Sequence, residues 1–207
     1  TRLTFIIFLF STPFIQAQSN DNIVWASVKV SKNLSPKTTV TAAPILRLND
    51  DISNYQNFSI DLVIKQKLKN GFSAQFLSRT WFWPDQKNWQ FLWFDIQHAK
   101  KIKKWSLFNG LRYHHAIDLN ERELPDFLRY KISLTLLKFG NIQPFITYEP
   151  WLRLNGQNQF DRIRYEAGFK ILTGINSDLL LGYRREENPG FGDNDFNMFL
   201  VTFGMKI

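Results

Sequence analysis

The chain has 207 residues, a formal net charge of +8, no cysteine, and an aromatic content of 16% that includes 20 Phe and 7 Trp. Without cysteine it cannot be one of the small exported scaffolds held together by disulfides, so a packed core or a hydrogen-bond ladder must hold it. The length suits one domain, and abundant aromatics at a mean hydropathy of −0.27 imply apolar residues dispersed by alternation rather than gathered in runs.

The first stretch, TRLTFIIFLFSTPFIQAQ, carries Arg2, an apolar run from Leu3 to Phe10, Pro13, and a small residue, Ala17, suited to the last position before a signal-peptidase cut. A spanning helix needs about 20 apolar residues, and Pro13 with the polar residues after it stops this run short. The expectation is a signal peptide over 1–17 and one mature domain over 18–207.

From there, turn signals recur and the stretches between them read at period two. Strands are predicted at about 23–31, 37–48, 56–68, 72–82, 89–99, 105–115, 126–138, 142–153, 160–172, 178–186 and 196–206. Lys69-Asn70-Gly71 is the strongest hairpin signal, because Asn-Gly tolerates the positive φ of a tight turn. Phe139-Gly140-Asn141 is its counterpart. No window shows a capped helical stripe. Connections alternate between short and longer, which is the layout of an up-and-down antiparallel transmembrane β-barrel. Eleven segments are read, whereas such barrels normally have an even number, so the expectation is about 10–12 strands, with the first outside the wall or one misread.

The strand RIRYEAGFKI, residues 162–171, sets Arg162, Arg164, Glu166 and Lys170 on one face and Ile163, Tyr165, Ala167, Phe169 and Ile171 on the other. Applied to every strand, the same parity collects Arg47, Asp61, Lys65, Arg79, Asp95, Arg112, Arg129, Lys131, Glu149, Arg153 and Arg184 on the charged face. Each Arg or Lys facing lipid at mid-depth would cost about 2–4 kcal/mol. About eleven of them would exceed a whole domain's stability of roughly 5–15 kcal/mol. In a membrane barrel they must therefore point inward, leaving rows such as Phe58, Ile60, Leu62 and Ile64 outside. A water-soluble sandwich would show the same period with the faces exchanged. Two features favour the membrane. Trp81, Trp83, Trp89 and Trp93 flank one loop, as an interfacial aromatic girdle would, and Arg and Lys occupy mid-strand positions where a wet sheet face carries Thr, Ser and Gln.

Trp25 in the first strand, Leu46-Arg47 ending the second, PFITYEPW at 144–151, RIRYEAGFKI and LGYR at 181–184 resemble an uncharacterised family of outer-membrane barrels of Gram-negative bacteria, domain-of-unknown-function family 2490. The resemblance spans nearly all of the mature chain. It implies a barrel and an outer-membrane address, and no reaction or ligand.

Hairpin arithmetic places Glu149 opposite Lys131 and Arg164, and Glu166 near Arg184. Cross-strand neighbours lie about 5 Å apart at Cβ, so these residues form a predicted lumen network. The leading functional reading is a barrel with a charged, mostly filled lumen in a structural, scaffold or partner-binding role. Inward cations outnumber inward carboxylates, which opens a second reading, a narrow channel for anions or acidic oligosaccharides. The same charge at a rim would meet lipopolysaccharide phosphates. A third reading is a lipid hydrolase of the outer membrane pairing a His with a Ser from a neighbouring strand. His114 and His115 point to opposite faces and cannot chelate together, and the hydrolase and phosphate-loop motifs are absent from the sequence. Asp193 and Asp195 read as a solvated turn before a calcium site. No catalytic residue, cofactor or metal is predicted. The partners expected are membrane lipid and lipopolysaccharide, a small anionic solute or oligosaccharide, or a protein of the outer membrane. Nucleic acid is not among them, because the basic and aromatic residues lie on opposite faces in an exported chain.

Overall fold

The computed structural model describes residues 22–49, 54–84, 88–118, 125–155, 160–188 and 195–207. The expected signal peptide over 1–17 and Asp193 lie outside these residues. Among them the regular elements are eleven strands: β1 Asn22–Asn33, β2 Thr38–Asn49, β3 Asn54–Lys67, β4 Phe72–Phe82, β5 Trp89–Ile102, β6 Trp105–Asp118, β7 Phe127–Thr135, β8 Ile142–Arg153, β9 Phe160–Leu172, β10 Ser177–Glu187 and β11 Phe196–Lys206. Each pairs with its chain neighbours, and β1 meets β11 to close a barrel.

The count corrects the expectation of an even number. In a meander of eleven strands the first and last run in the same direction, so closure requires a parallel seam. The seam runs from Asn22 opposite Asn197 to Ser31 opposite Lys206, and the other ten pairs are antiparallel. No segment was misread and none lies outside the wall. A further consequence is that Asn22 and Ile207 belong to opposite rims. The Asn22 end of β1 lies at the rim of the longer connections, whereas β11 leads to Ile207 at the rim of the short turns.

Local chemistry makes the short turns. Asn70 and Gly71 take φ of 55° and 79°, and the turn joining β3 to β4 closes tightly there. Strand β7 ends earlier than predicted. Its ladder to β8 lacks Tyr130 and Lys131, the positions opposite Pro150 and Glu149, and Pro150 has no N–H to contribute. Two bulges mark the long-loop rim: Gln56 is the extra residue where β2 and β3 change register, and Asp161 where β8 and β9 do.

Alternation sorts the side chains. Leu62, Ile64, Phe94, Ile96, Leu111, Ile146, Leu181 and Phe203 stand exposed on the outside, and Asp61, Arg79, Asp95, Arg129 and Glu149 are buried inside. A small apolar cluster of Ile23, Met198 and Leu200, with Trp25, Leu180 and Phe196 against it, packs along the inner side of the seam.

Candidate functional site: the lumen

The lumen has a waist of paired charge. Asp61 and Arg79 are directly opposite across β3 and β4, and Arg79 donates through Nε and Nη2 at 2.5 and 2.7 Å. Asp95 and Arg112 repeat the arrangement across β5 and β6 at 2.5 and 2.6 Å. Arg184 donates through Nη2 and Nε to Glu166 at 3.0 and 3.3 Å. Arg164 bonds one oxygen of Glu186, and Arg162 reaches the other at 2.9 Å. Such two-pronged, charge-assisted bonds suit the planar guanidinium.

The predicted network residues separate into these pairs. Glu166 meets Arg184. Glu149 lies opposite Arg164, yet its ion pair is with Arg129, which donates through Nη2 at 2.6 Å and Nε at 3.0 Å. Arg129 sits directly across from Trp151, so it reaches Glu149 along the diagonal. Lys131 instead lines a separate cavity of about 380 Å³ nearer the short turns, together with Glu166, Lys170, Ser133 and Thr147.

Three tryptophans are woven into the waist. Trp93 lies under Arg112, Arg79 and Arg129 at 4.5, 4.7 and 5.3 Å from ring centre to guanidinium carbon. Trp151 lies under Arg129, Arg164 and Arg162 at 3.6, 4.1 and 4.8 Å. Trp25 meets Arg184, Arg47 and Arg79 at 5.1, 5.4 and 5.7 Å. Each ring face attracts the cations whose charge the carboxylates already balance in part.

Toward the long-loop rim the lumen opens into a cavity of about 500 Å³. Trp81, Trp83, Trp89 and Trp93 all line it, which corrects the expectation of an interfacial girdle. The reason is parity: Trp81 and Trp83 share the face of Arg79, and Trp89 and Trp93 share the face of Asp95, so all four turn inward. Rings touch along this wall, Trp81 to Trp83 at 5.5 Å and Trp83 to Trp89 at 6.1 Å. Deeper in, His114 is nested among Phe91, Trp93, Trp151 and Phe127 at 5.0–5.6 Å. It is a buried aromatic neighbour. Sequence reasoning gave no lumen role to Trp25, Trp151 or Glu186, although each falls on the charged parity of its strand.

The family described as Protein of unknown function (DUF2490) matches residues 22–197. The chain belongs to this family. No curated protein and no solved structure matched it. The DUF2490 barrel thus has its lumen as the place to look for chemistry. Neither ring nitrogen of His114 has a hydrogen-bond partner among the described residues. The other candidate, His115, bonds Asp126 at 2.7 Å on the outer surface, where Asp126 also accepts from Tyr113 at 2.6 Å. A hydrolase needs a nucleophile hydrogen-bonded to its base, and no serine is bonded to either histidine among the described residues. Asp195 pairs with Arg185 at 3.0 Å, and no cluster of three metal-ligating side chains occurs among the described residues.

Proposed function

We propose that this DUF2490 chain is an outer-membrane β-barrel of a Gram-negative bacterium, delivered by its N-terminal signal segment, that serves as a binding or scaffold protein and not as an open pore. The observation that carries this reading is the closed waist. Asp61, Asp95, Arg129, Glu149 and Trp151, from four different strands, are all buried inside a barrel whose outer face is apolar. Outward Leu, Ile and Phe rows are what a bilayer solvates, and inward guanidinium groups are what it would reject. Lipid contact follows from the same faces. The short-turn rim adds exposed lysines, Lys32, Lys37, Lys69, Lys101, Lys103 and Lys104, at the level where anionic headgroups would lie.

Fractionation with a heat-modifiability gel tests residence and closure together: the expected result is an outer-membrane protein whose unheated band migrates apart from the boiled one. Planar-bilayer recording of the refolded protein tests the waist. No steady conductance is expected. The channel reading draws on the cations that line both cavities, and a steady anion-selective current would establish it in place of the plugged barrel. Solubility of the folded monomer in buffer without amphiphile would overturn the membrane reading.

A further inference from the structure

The larger cavity is unbalanced in two ways that point to one kind of ligand. Among the described residues, five arginines, Arg47, Arg79, Arg129, Arg162 and Arg164, line it against two carboxylates, Asp161 and Glu186. Both oxygens of Glu186 are already taken by Arg162 and Arg164, and Oδ1 of Asp161 by Arg153 at 2.5 Å. Arg47 has no carboxylate within ion-pair reach among the described residues; what it touches is the Trp25 ring at 5.4 Å.

The hydrogen-bond inventory repeats the imbalance. Eight buried N–H groups on residues that line the cavity have no acceptor among the described residues: the indole Nε1 of Trp25, Trp81, Trp83, Trp93 and Trp151, Nε of Arg47 and Arg162, and Nη1 of Arg129. Trp93, Trp151 and Arg129 are 6%, 3% and 4% exposed, so these donors are deeply buried. Against them stand two unpartnered oxygens, Gln56 Oε1 and Asp161 Oδ2, and the ring nitrogens of His114. An unmade hydrogen bond at a buried donor is costly, and a donor-rich, acceptor-poor site is satisfied by a ligand that brings acceptors and few donors. A sugar brings a hydroxyl proton with nearly every oxygen, more than these few acceptors could receive. An anion brings oxygens alone.

The walls specify the rest of the ligand. The rings of Trp81, Trp83, Trp89 and Phe91 pack tilted or edge to face at 5.5–6.3 Å along the mouth, an aromatic wall for a flat ring. The volume of about 500 Å³ falls within the range of small-molecule sites. We propose that this vestibule binds an aromatic monoanion: a flat unsaturated body stacked on the tryptophans, with a carboxylate or comparable head on Arg47 and the inward N–H groups. Entry is from the long-loop rim, because the waist closes the other side.

The inference deepens the binding-protein reading and rests on it, so conductance of the same preparation is scored separately: a conducting pore and an empty vestibule are different failures. The probe is 2-naphthoate, titrated into the folded full chain in non-ionic detergent and followed by tryptophan quenching and calorimetry. Three comparators accompany it: 2-naphthylmethanol with the ring but no charge, decanoate with the charge but no ring, and glucuronate with charge and hydroxyls. Saturable one-to-one binding of naphthoate is expected, with each comparator weaker by about tenfold or more. Arg47→Gln, which strands no carboxylate, should weaken naphthoate by about tenfold, whereas Lys170→Gln in the other cavity should leave it unchanged. The gel mobility of unheated protein verifies that both variants are folded. Naphthoate binding no tighter than naphthylmethanol, or unaltered in folded Arg47→Gln, would show micelle partitioning and overturn the site. Equal binding of decanoate would overturn the aromatic assignment, and equal binding of glucuronate the exclusion of hydroxyl donors.

Discussion

Replacing Glu149 by Gln keeps the volume of the side chain and removes the charge that holds Arg129 in the waist. The pair is short, 2.6 Å from Nη2 and 3.0 Å from Nε to the same oxygen, and its side chains are 9% and 5% exposed. Arg129 also faces Arg112 directly across β6 and β7, so Glu149 screens one cation from another. Breaking a buried pair by removing one partner costs about 3–5 kcal/mol. The same charge removal at an exposed pair costs about 0–1 kcal/mol. Asp178→Asn supplies that comparison, because the Lys170–Asp178 bridge at 2.9 Å has side chains 41% and 32% exposed. Equilibrium urea unfolding in non-ionic detergent, read by circular dichroism and by the heat-modifiable band, should show a loss for Glu149→Gln of about 3–5 kcal/mol and for Asp178→Asn of at most about 1 kcal/mol. Replacing the pair together, Glu149→Leu with Arg129→Met, should recover most of the loss, since apolar groups of similar volume often stand in for a buried pair. Equal, small losses for the two single variants would mean that water reaches Glu149 and that the waist is open.

Three other outcomes are expected. Leu62, 58% exposed at the middle of β3, tests the solvent of the outer face: Leu62→Arg should cost about 2–4 kcal/mol when folding is measured in lipid vesicles, whereas an exposed site in water would register within about 0.5 kcal/mol. Gly168→Val should abolish the folded band, because a Cβ there would lie 2.3 Å from the Leu181 carbonyl oxygen and 2.7 Å from the Gly182 Cα; at Gly140, φ 58° with open space around it, Gly140→Ala should cost only about 1–2 kcal/mol by the same urea assay. The chain has no cysteine, so single thiols can map the rims: Asn22→Cys and Asn88→Cys should be labelled from one side of sealed vesicles and Ser35→Cys and Ile207→Cys from the other, and labelling of positions 22 and 207 from the same side would refute the parallel seam.

Much of the barrel was legible because its signals are local. The period-two rows, the Asn70-Gly71 turn and the bounds of β4, β8 and β9 can each be read within a dozen residues. The closure was not, because the pairing of Asn22 with Asn197 is a contact between the two ends of the domain, and no neighbouring residue announces a parallel seam. The tryptophans were misplaced for a different reason. Clustering at a loop rim suggests a girdle, but the parity of Arg79 and Asp95 turns Trp81, Trp83, Trp89 and Trp93 inward. Within the waist, register arithmetic found Glu149 opposite Arg164 and Glu166 opposite Arg184, but it could not choose among partners. An arginine reaches diagonal as well as direct neighbours, and Arg129 takes Glu149 by that longer reach, leaving Arg164 to Glu186.

The waist also answers how a barrel with an odd number of strands selects one closure. A one-residue slip at any pair would carry guanidinium groups to the apolar face, which the outward rows forbid. A two-residue slip keeps the parity and is penalised only by what the charges then meet. Asp61 would face Leu77 in place of Arg79, or Asp95 would face Gly110 in place of Arg112, leaving buried charges unpaired. Among the described residues the seam has no such ion pair to read, and Ile23, Met198 and Leu200 pack along its inner side. Trp25 supplies the link. From β1 it stacks with Arg184 of β10 on one side of the seam and with Arg47 of β2 on the other, at 5.1 and 5.4 Å. The aromatic ring thus links the arginines on the two sides of the seam, which is a structural reason for a tryptophan in the first strand.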